Sequence, residues 1–133
     1  MPMKTPAPAA ASAAPNACAD LLETARLHLR EAVLPQLPES VRYDTLMIAN
    51  ALAIAVRETE LGEASARRID AAIHAFYRQM GAVPPKGPAE TALAADLRAG
   101  RFHGDPAPLH ALLAGVVREK LAISNPKRLG AEA

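Results

Sequence analysis

From Leu21 to Leu121 the apolar residues of this chain recur three and four positions apart, and no stretch alternates apolar with polar. That spacing places side chains on one face of a helix; a strand would need a repeat of two. A chain patterned in this way buries its apolar surface by packing helices on one another. Proline and glycine cluster between the periodic stretches, where they interrupt helical hydrogen bonding.

Five helical stretches follow from this punctuation. The first starts at Asn16 or Ala17, aligns Leu21, Leu22, Ala25, Leu29, Ala32 and Val33, and ends at Pro35 and Pro38. The second, about Ser40 to Leu61, is apolar nearly all round in its middle, which predicts a buried central helix stopped by Gly62. The third, about Ala64 to Met80, presents Ile69, Ala72, Ile73, Phe76 and Met80 and stops at Gly81, ahead of the stiff Pro84-Pro85 loop. A fourth opens near Pro88 or Ala89, buries Leu93 and Leu97 and ends at Gly100. The fifth has Asp105 as N-cap and Pro106 in its first turn, turns Leu109, Leu112, Leu113, Val116 and Leu121 inward, and closes at Ser124-Asn125-Pro126. The expectation is an all-α fold: a single compact domain of about five helices over residues 16–129, with a disordered Ala/Pro-rich leader over 1–15 and a short tail at 130–133.

Composition narrows what such a domain does. With 3% aromatic residues and no tryptophan, the core is built from alanine, leucine, isoleucine and valine, and 133 residues leave room for one core. The net charge is +1, with basic residues scattered among acids, so the electrostatic footprint of a nucleic-acid binder is missing. The single cysteine, Cys18, excludes an internal disulfide framework and reads as a helix-start residue. The leader has one lysine and no leucine or isoleucine, unlike a signal peptide. The apolar run Leu46 to Val56 is interrupted by Asn50 and is far shorter than the ~20 residues that span a bilayer. A cytoplasmic protein that binds neither nucleic acid nor membrane is expected.

Few residues offer chemistry. Arg101-Phe102-His103-Gly104-Asp105, followed by His110, brings two imidazoles and a carboxylate near one another in sequence. The same residues also make an inter-helix turn in which glycines give freedom and Asp105 caps, which is the preferred reading. Lys86-Gly87 reverses the order of a phosphate-cradling loop and lacks a preceding strand, and no serine sits in a nucleophile elbow. No catalytic residue, metal or cofactor is expected. Asn50, an amide inside an apolar run, is expected to be buried and bonded internally, to a loop or the C-terminal segment; the other reading is a polar contact kept for a partner. Leu27 and Leu34 stand a heptad apart among the charges of the first helix, as a second apolar stripe. Either the core-facing surface is wide, or that stripe meets a partner.

Arg42-Tyr43, the run Ile48-Ala49-Asn50-Ala51-Leu52-Ala53-Ile54, Arg57-Glu58 and Glu60-Leu61-Gly62, with the ending Lys120-Leu121-Ala122-Ile123-Ser124-Asn125-Pro126, resemble the motifs of a family of small bacterial proteins. The resemblance spans about Leu21 to Leu129. Members of that family accompany aminoglycoside-phosphotransferase-like kinases and acyl-CoA dehydrogenases, and one type is the small subunit of the hydroxyacyl-CoA kinase of levulinate catabolism. The resemblance implies a kinase partner and carries over no catalytic residue. It marks Arg42, Tyr43, Asn50, Arg57, Glu58 and Asn125 as motif positions, to which Leu27 and Leu34 add as apolar interface candidates. The expected function is therefore a non-catalytic accessory subunit of such a kinase. The alternative is a self-associating helical protein, a homo-oligomer that binds acyl-CoA or another amphipathic ligand.

Overall fold

A computed structural model describes residues 16–130; the leader expected over 1–15 and the residues after Gly130 lie outside them. Every regular element in the described residues is helical. α1 spans Ala17–His28 and runs on through a π turn, Leu29–Val33, and a 3₁₀ turn, Leu34–Gln36. α2 spans Glu39–Gln79, α3 Ala89–Arg98, α4 Ala107–Ser124 and α5 Pro126–Gly130. The fold is all-α, and none of these helices is long and apolar enough to cross a membrane.

Asn16 starts α1 by accepting the Ala19 amide on its side-chain oxygen at 3.2 Å, while its amide nitrogen donates to the Thr59 carbonyl at 3.0 Å. That second bond fixes the beginning of α1 beside the middle of α2, so α1 and α2 run antiparallel. Cys18 is an exposed residue of this first turn.

The stop expected at Gly62 is not there: the second and third stretches are one helix of 41 residues. Glycine in a helix interior costs about 1 kcal/mol relative to alanine, too little to break a helix whose flanks keep one apolar phase. Positions 54, 58, 62, 65, 69, 73, 76 and 80 succeed one another at steps of three and four straight through the glycine. Gly81 and Gly100 do end helices, α2 and α3, with φ of 69° and 78°. At the first, Ala82 N–H bonds the Tyr77 carbonyl and Gly81 N–H that of Arg78; at the second, Arg101 bonds Asp96 and Gly100 bonds Leu97. Both are Schellman closures, which require the left-handed conformation that glycine adopts without a Cβ clash.

The core lies at the C-terminal half of α2. Ile69, Ile73, Phe76 and Tyr77 pack with Ala89 and Leu93 of α3 and Leu112 of α4. α4 runs antiparallel to α2, and its register is held by the Glu119 carboxylate, which takes both Arg68 Nε at 2.8 Å and Nη2 at 2.9 Å and the buried Ser65 hydroxyl at 3.0 Å. The Arg68 guanidinium keeps Glu119 below the usual carboxylate range, with the Ser65 bond acting in the same direction. The N-terminal half of α2 is buried much less: Thr45 and Ala49, with Ala19 of α1, are the fully covered residues there.

The two kinds of glycine respond oppositely to alanine. A Cβ at Gly62 meets the end of the exposed, flexible Glu58 side chain, with Oε1 at 2.5 Å, and that carboxylate has solvent to swing into. Gly62→Ala is therefore expected to stabilise the chain by about 0.5–1 kcal/mol and Gly81→Ala to destabilise it by about 1 kcal/mol or more. Urea unfolding of the two variants checks this, and a loss of stability in Gly62→Ala contradicts the continuous helix.

Candidate functional site

Two helices lie on different faces of α2. α1 meets it along Ala53, Val56 and Glu60, which share a groove with Ala19 and Glu23. α4 meets it along Ile54, Glu58, Gly62, Ser65 and Ile69, which share a groove with Lys120 and Ile123. Extended toward the N-terminus at the same helical steps, this second face continues to Asn50, Met47 and Tyr43. α4 ends at Ser124, and α5 reaches only as far as Asn50, with Pro126 and Lys127 beside it. Tyr43 and Met47 are thus the uncovered continuation of a face that is packed further along, and they are 71% and 50% exposed.

Leu46 and Ile48 are also exposed large apolar residues, so the run expected to be buried is open to solvent at its start. The sequence shows this helix to be apolar nearly all round, but the length of its neighbours decides how much of it is covered. Leu46 and Tyr43 line an open cavity of about 660 Å³ with Leu34, Pro35, Glu39 and Arg42. Arg42 anchors its wall: Nε donates to the Leu37 carbonyl at 3.2 Å and Nη1 stands 3.5 Å from Glu39.

Leu27 and Leu34 do not continue one another as the heptad spacing predicts. The π turn between them, closed by the Leu34 amide on the Leu29 carbonyl, holds one residue more than an α turn. That extra residue rotates the chain beyond it by roughly 100° about the helix axis. Leu34 accordingly faces the Tyr43 cavity, whereas Leu27, 40% exposed, is not part of its lining.

The motif residues divide into two groups and one outlier. Arg42 and Tyr43 belong to the apolar cavity, with Leu34. Asn50, Arg57 and Asn125 meet 75 positions apart in sequence, in a polar cavity of about 220 Å³ shared with Ser124, Pro126 and Lys127. Asn50 is exposed and makes no side-chain hydrogen bond among the described residues, which corrects the expectation of a buried, internally bonded amide. Its neighbour is nevertheless the C-terminal segment. Arg57 is half-buried, and its Nε donates to the Ile123 carbonyl at the end of α4. Glu58 stands apart from both groups, exposed on the α4 side of α2. Met47, Leu46 and Lys127 were not singled out in the sequence; the three-and-four step back from Ile54 finds Met47, and nothing in the pattern finds the others.

The histidine-bearing turn serves the fold. Phe102 sits at φ 63°, a strained value for a bulky residue, with its ring edge-on to Phe76 at 5.0 Å and to Tyr77 at 5.2 Å. Arg101 lies over the Phe102 ring at 5.2 Å and bonds Asp96 at 2.9 Å. Asp105 accepts the Ala107 amide at 3.1 Å from one residue outside the N-cap of α4, which is Pro106 and not Asp105 as expected, and His103 Nδ1 lies against the Gly100 carbonyl. His103 and His110 are exposed, and among the described residues no three His, Cys, Asp or Glu side chains gather as metal ligands.

Residues 35–128 match the family described as a domain of unknown function (DUF6285). No curated protein and no solved structure matches the chain.

Beneath this turn the Tyr77 hydroxyl donates to Asp96. Burial, reinforced by that bond, pushes Tyr77 up to about 12, and the same bond, aided by Arg101, holds Asp96 below its ordinary value. A raised folded value contributes stability below the unfolded tyrosine value near 10 that is lost as pH climbs toward about 12; the depressed Asp96 contributes stability that is lost as pH falls below the ordinary carboxylate range. Titration of tyrosinate absorbance on the folded protein should show one ring ionising about two units late, and Tyr77→Phe should abolish that step.

Proposed function

We propose that this chain, which belongs to the DUF6285 family, is a non-catalytic accessory subunit that docks through the α1–α2 end on a phosphotransferase-fold kinase acting on hydroxyacyl-CoA. ATP and the transferred phosphoryl group belong to the partner in this reading. The observation that carries it is the exposure of Tyr43 and Met47 on the α2 face that α4 covers further along. An aromatic ring and a methionine beside an apolar cavity are the residue types that anchor protein interfaces, and contiguous exposed apolar surface on a small domain marks a binding site. The kinase as occupant rests on the motif resemblance at Arg42-Tyr43, the helix around Asn50 and the Ser124-Asn125-Pro126 ending. Support for a non-catalytic role comes from Arg101, Phe102 and Asp105, which are engaged with Asp96, Tyr77 and the first amide of α4.

The test is co-expression of the kinase with the wild-type chain, with a Tyr43→Ser/Met47→Gln variant, and alone. The wild type should co-purify with the kinase in near-equal amount and raise its solubility or its hydroxyacyl-CoA phosphorylation. The double variant should lose co-purification at least about tenfold while its own unfolding free energy changes by no more than about 0.5 kcal/mol per substitution, since both side chains are half or more exposed. Kinase solubility and activity indifferent to the chain would overturn the accessory role, and light scattering showing a homo-oligomer broken by the same substitutions would assign the surface to self-association.

A further inference from the structure

The polar cavity at the junction of α2, α4 and α5 is separate from the docking surface and differs from it in chemistry. Its lining supplies a guanidinium from Arg57, an ammonium from Lys127 and two amides from Asn50 and Asn125, and no carboxylate; the Ser124 hydroxyl at the same wall donates to the Lys120 carbonyl at 3.0 Å. Among the described residues neither Arg57 nor Lys127 forms a salt bridge, a state they share with Arg30, Arg78, Lys86, Arg98, Arg118 and Arg128.

Each of these groups has a reason for standing where it does. Asn50 lies on the α2 face just beyond the reach of α4, so its amide opens into the gap that α4 leaves. Asn125, with φ −154° and ψ 71°, breaks the helix after Ser124, and Pro126 starts α5 in a new direction, which carries Lys127 to the cavity rim. The Arg57 Nε bond to the Ile123 carbonyl fixes the guanidinium at the cavity and leaves its two terminal nitrogens without a described partner. At about 220 Å³ the cavity holds roughly seven waters, enough for an oxyanion head group and the first atoms attached to it.

We propose that this cavity is an oxyanion-binding site, in which Arg57 and Lys127 supply the charge and the Asn50 and Asn125 amides supply orienting hydrogen bonds, for a ligand bearing a phosphate or carboxylate group. Convergent donors with two cations and no acid in the same lining suit an anion and disfavour a cation, although Arg57 also borders the α1–α2 groove that holds Asp20, Glu23 and Glu60. The binding is partly open to water and therefore weak for the bare ion, with a dissociation constant on the order of millimolar, and it weakens as salt rises.

The test is an amide NMR titration of the full chain with inorganic phosphate, with acetate and with chloride, all at matched ionic strength. Saturable shifts of the Asn50 and Asn125 side-chain amides and the Lys127 and Arg128 backbone amides are expected with phosphate, acetate or both. Phosphate alone identifies a phosphoryl ligand and acetate alone a carboxylate. Lys127→Gln, on the exposed rim, should raise the midpoint about threefold, and Arg57→Gln about tenfold. If Arg57→Gln fails to fold for want of its bond to Ile123, the Lys127→Gln comparison decides. Shifts that do not saturate, that chloride reproduces, or that Lys127→Gln leaves unchanged would overturn the proposal.

Discussion

A single helix of 41 residues, about 60 Å long, is the constraint on which the other elements depend. α4, with 18 residues, covers less than half of its length, and α3, with 10, covers less still. The covering helices are unevenly placed: α3 and α4 seal the C-terminal half over Ile73, Phe76 and Tyr77, whereas α1 lies along the N-terminal half and the ends of α4 and α5 reach it only between Asn50 and Glu58. The result is a molecule with a well-packed end and a thin end. Both candidate sites occur where coverage runs out: the polar cavity at the tip of α4, and the apolar cavity beyond it.

The all-α architecture was legible because helical spacing survives from Leu21 to Leu121 without a stretch of alternation. The end of α3 was legible because Gly100 supplies the left-handed closure, and the start of α4 to within a residue because Pro106 fits only the beginning of a helix. Gly62 shows the limit. It looks like Gly81 in isolation, but Gly81 precedes Ala-Val-Pro-Pro, whereas Gly62 precedes Glu-Ala-Ser-Ala-Arg-Arg, which holds no helix breaker and leads the face through Ser65 to Ile69. A terminating glycine needs a left-handed turn and a chain that leaves; at Gly62 neither is present, and the packing of Ile54 through Met80 on one face outweighs a small propensity loss.

The sites were less legible than the fold because their character depends on which face of α2 a short neighbour covers. The sequence marked Asn50 as exceptional, and its proximity to the C-terminal segment was anticipated, but its burial was not decidable from a run that is apolar on every side. The π turn of α1 is subtler still. Leu29-Arg30-Glu31-Ala32-Val33 reads as ordinary helix, and only the added residue per turn, set by how α1 meets the proline-bound turn at Leu34–Gln36, separates Leu27 from Leu34.

The uneven clamping of α2 also has a mechanical meaning. Tyr43 lies 33 residues from Phe76, so a straight helix places it about 50 Å away along the axis. A rotation of only about 5° about the sealed end then moves the Tyr43 ring by roughly 4 Å, about the width of a side chain. α2 is in effect a lever with its fulcrum at the aromatic cluster, and small changes of packing around Phe76, Tyr77 and Phe102 are magnified into the placement of the surface at the far end.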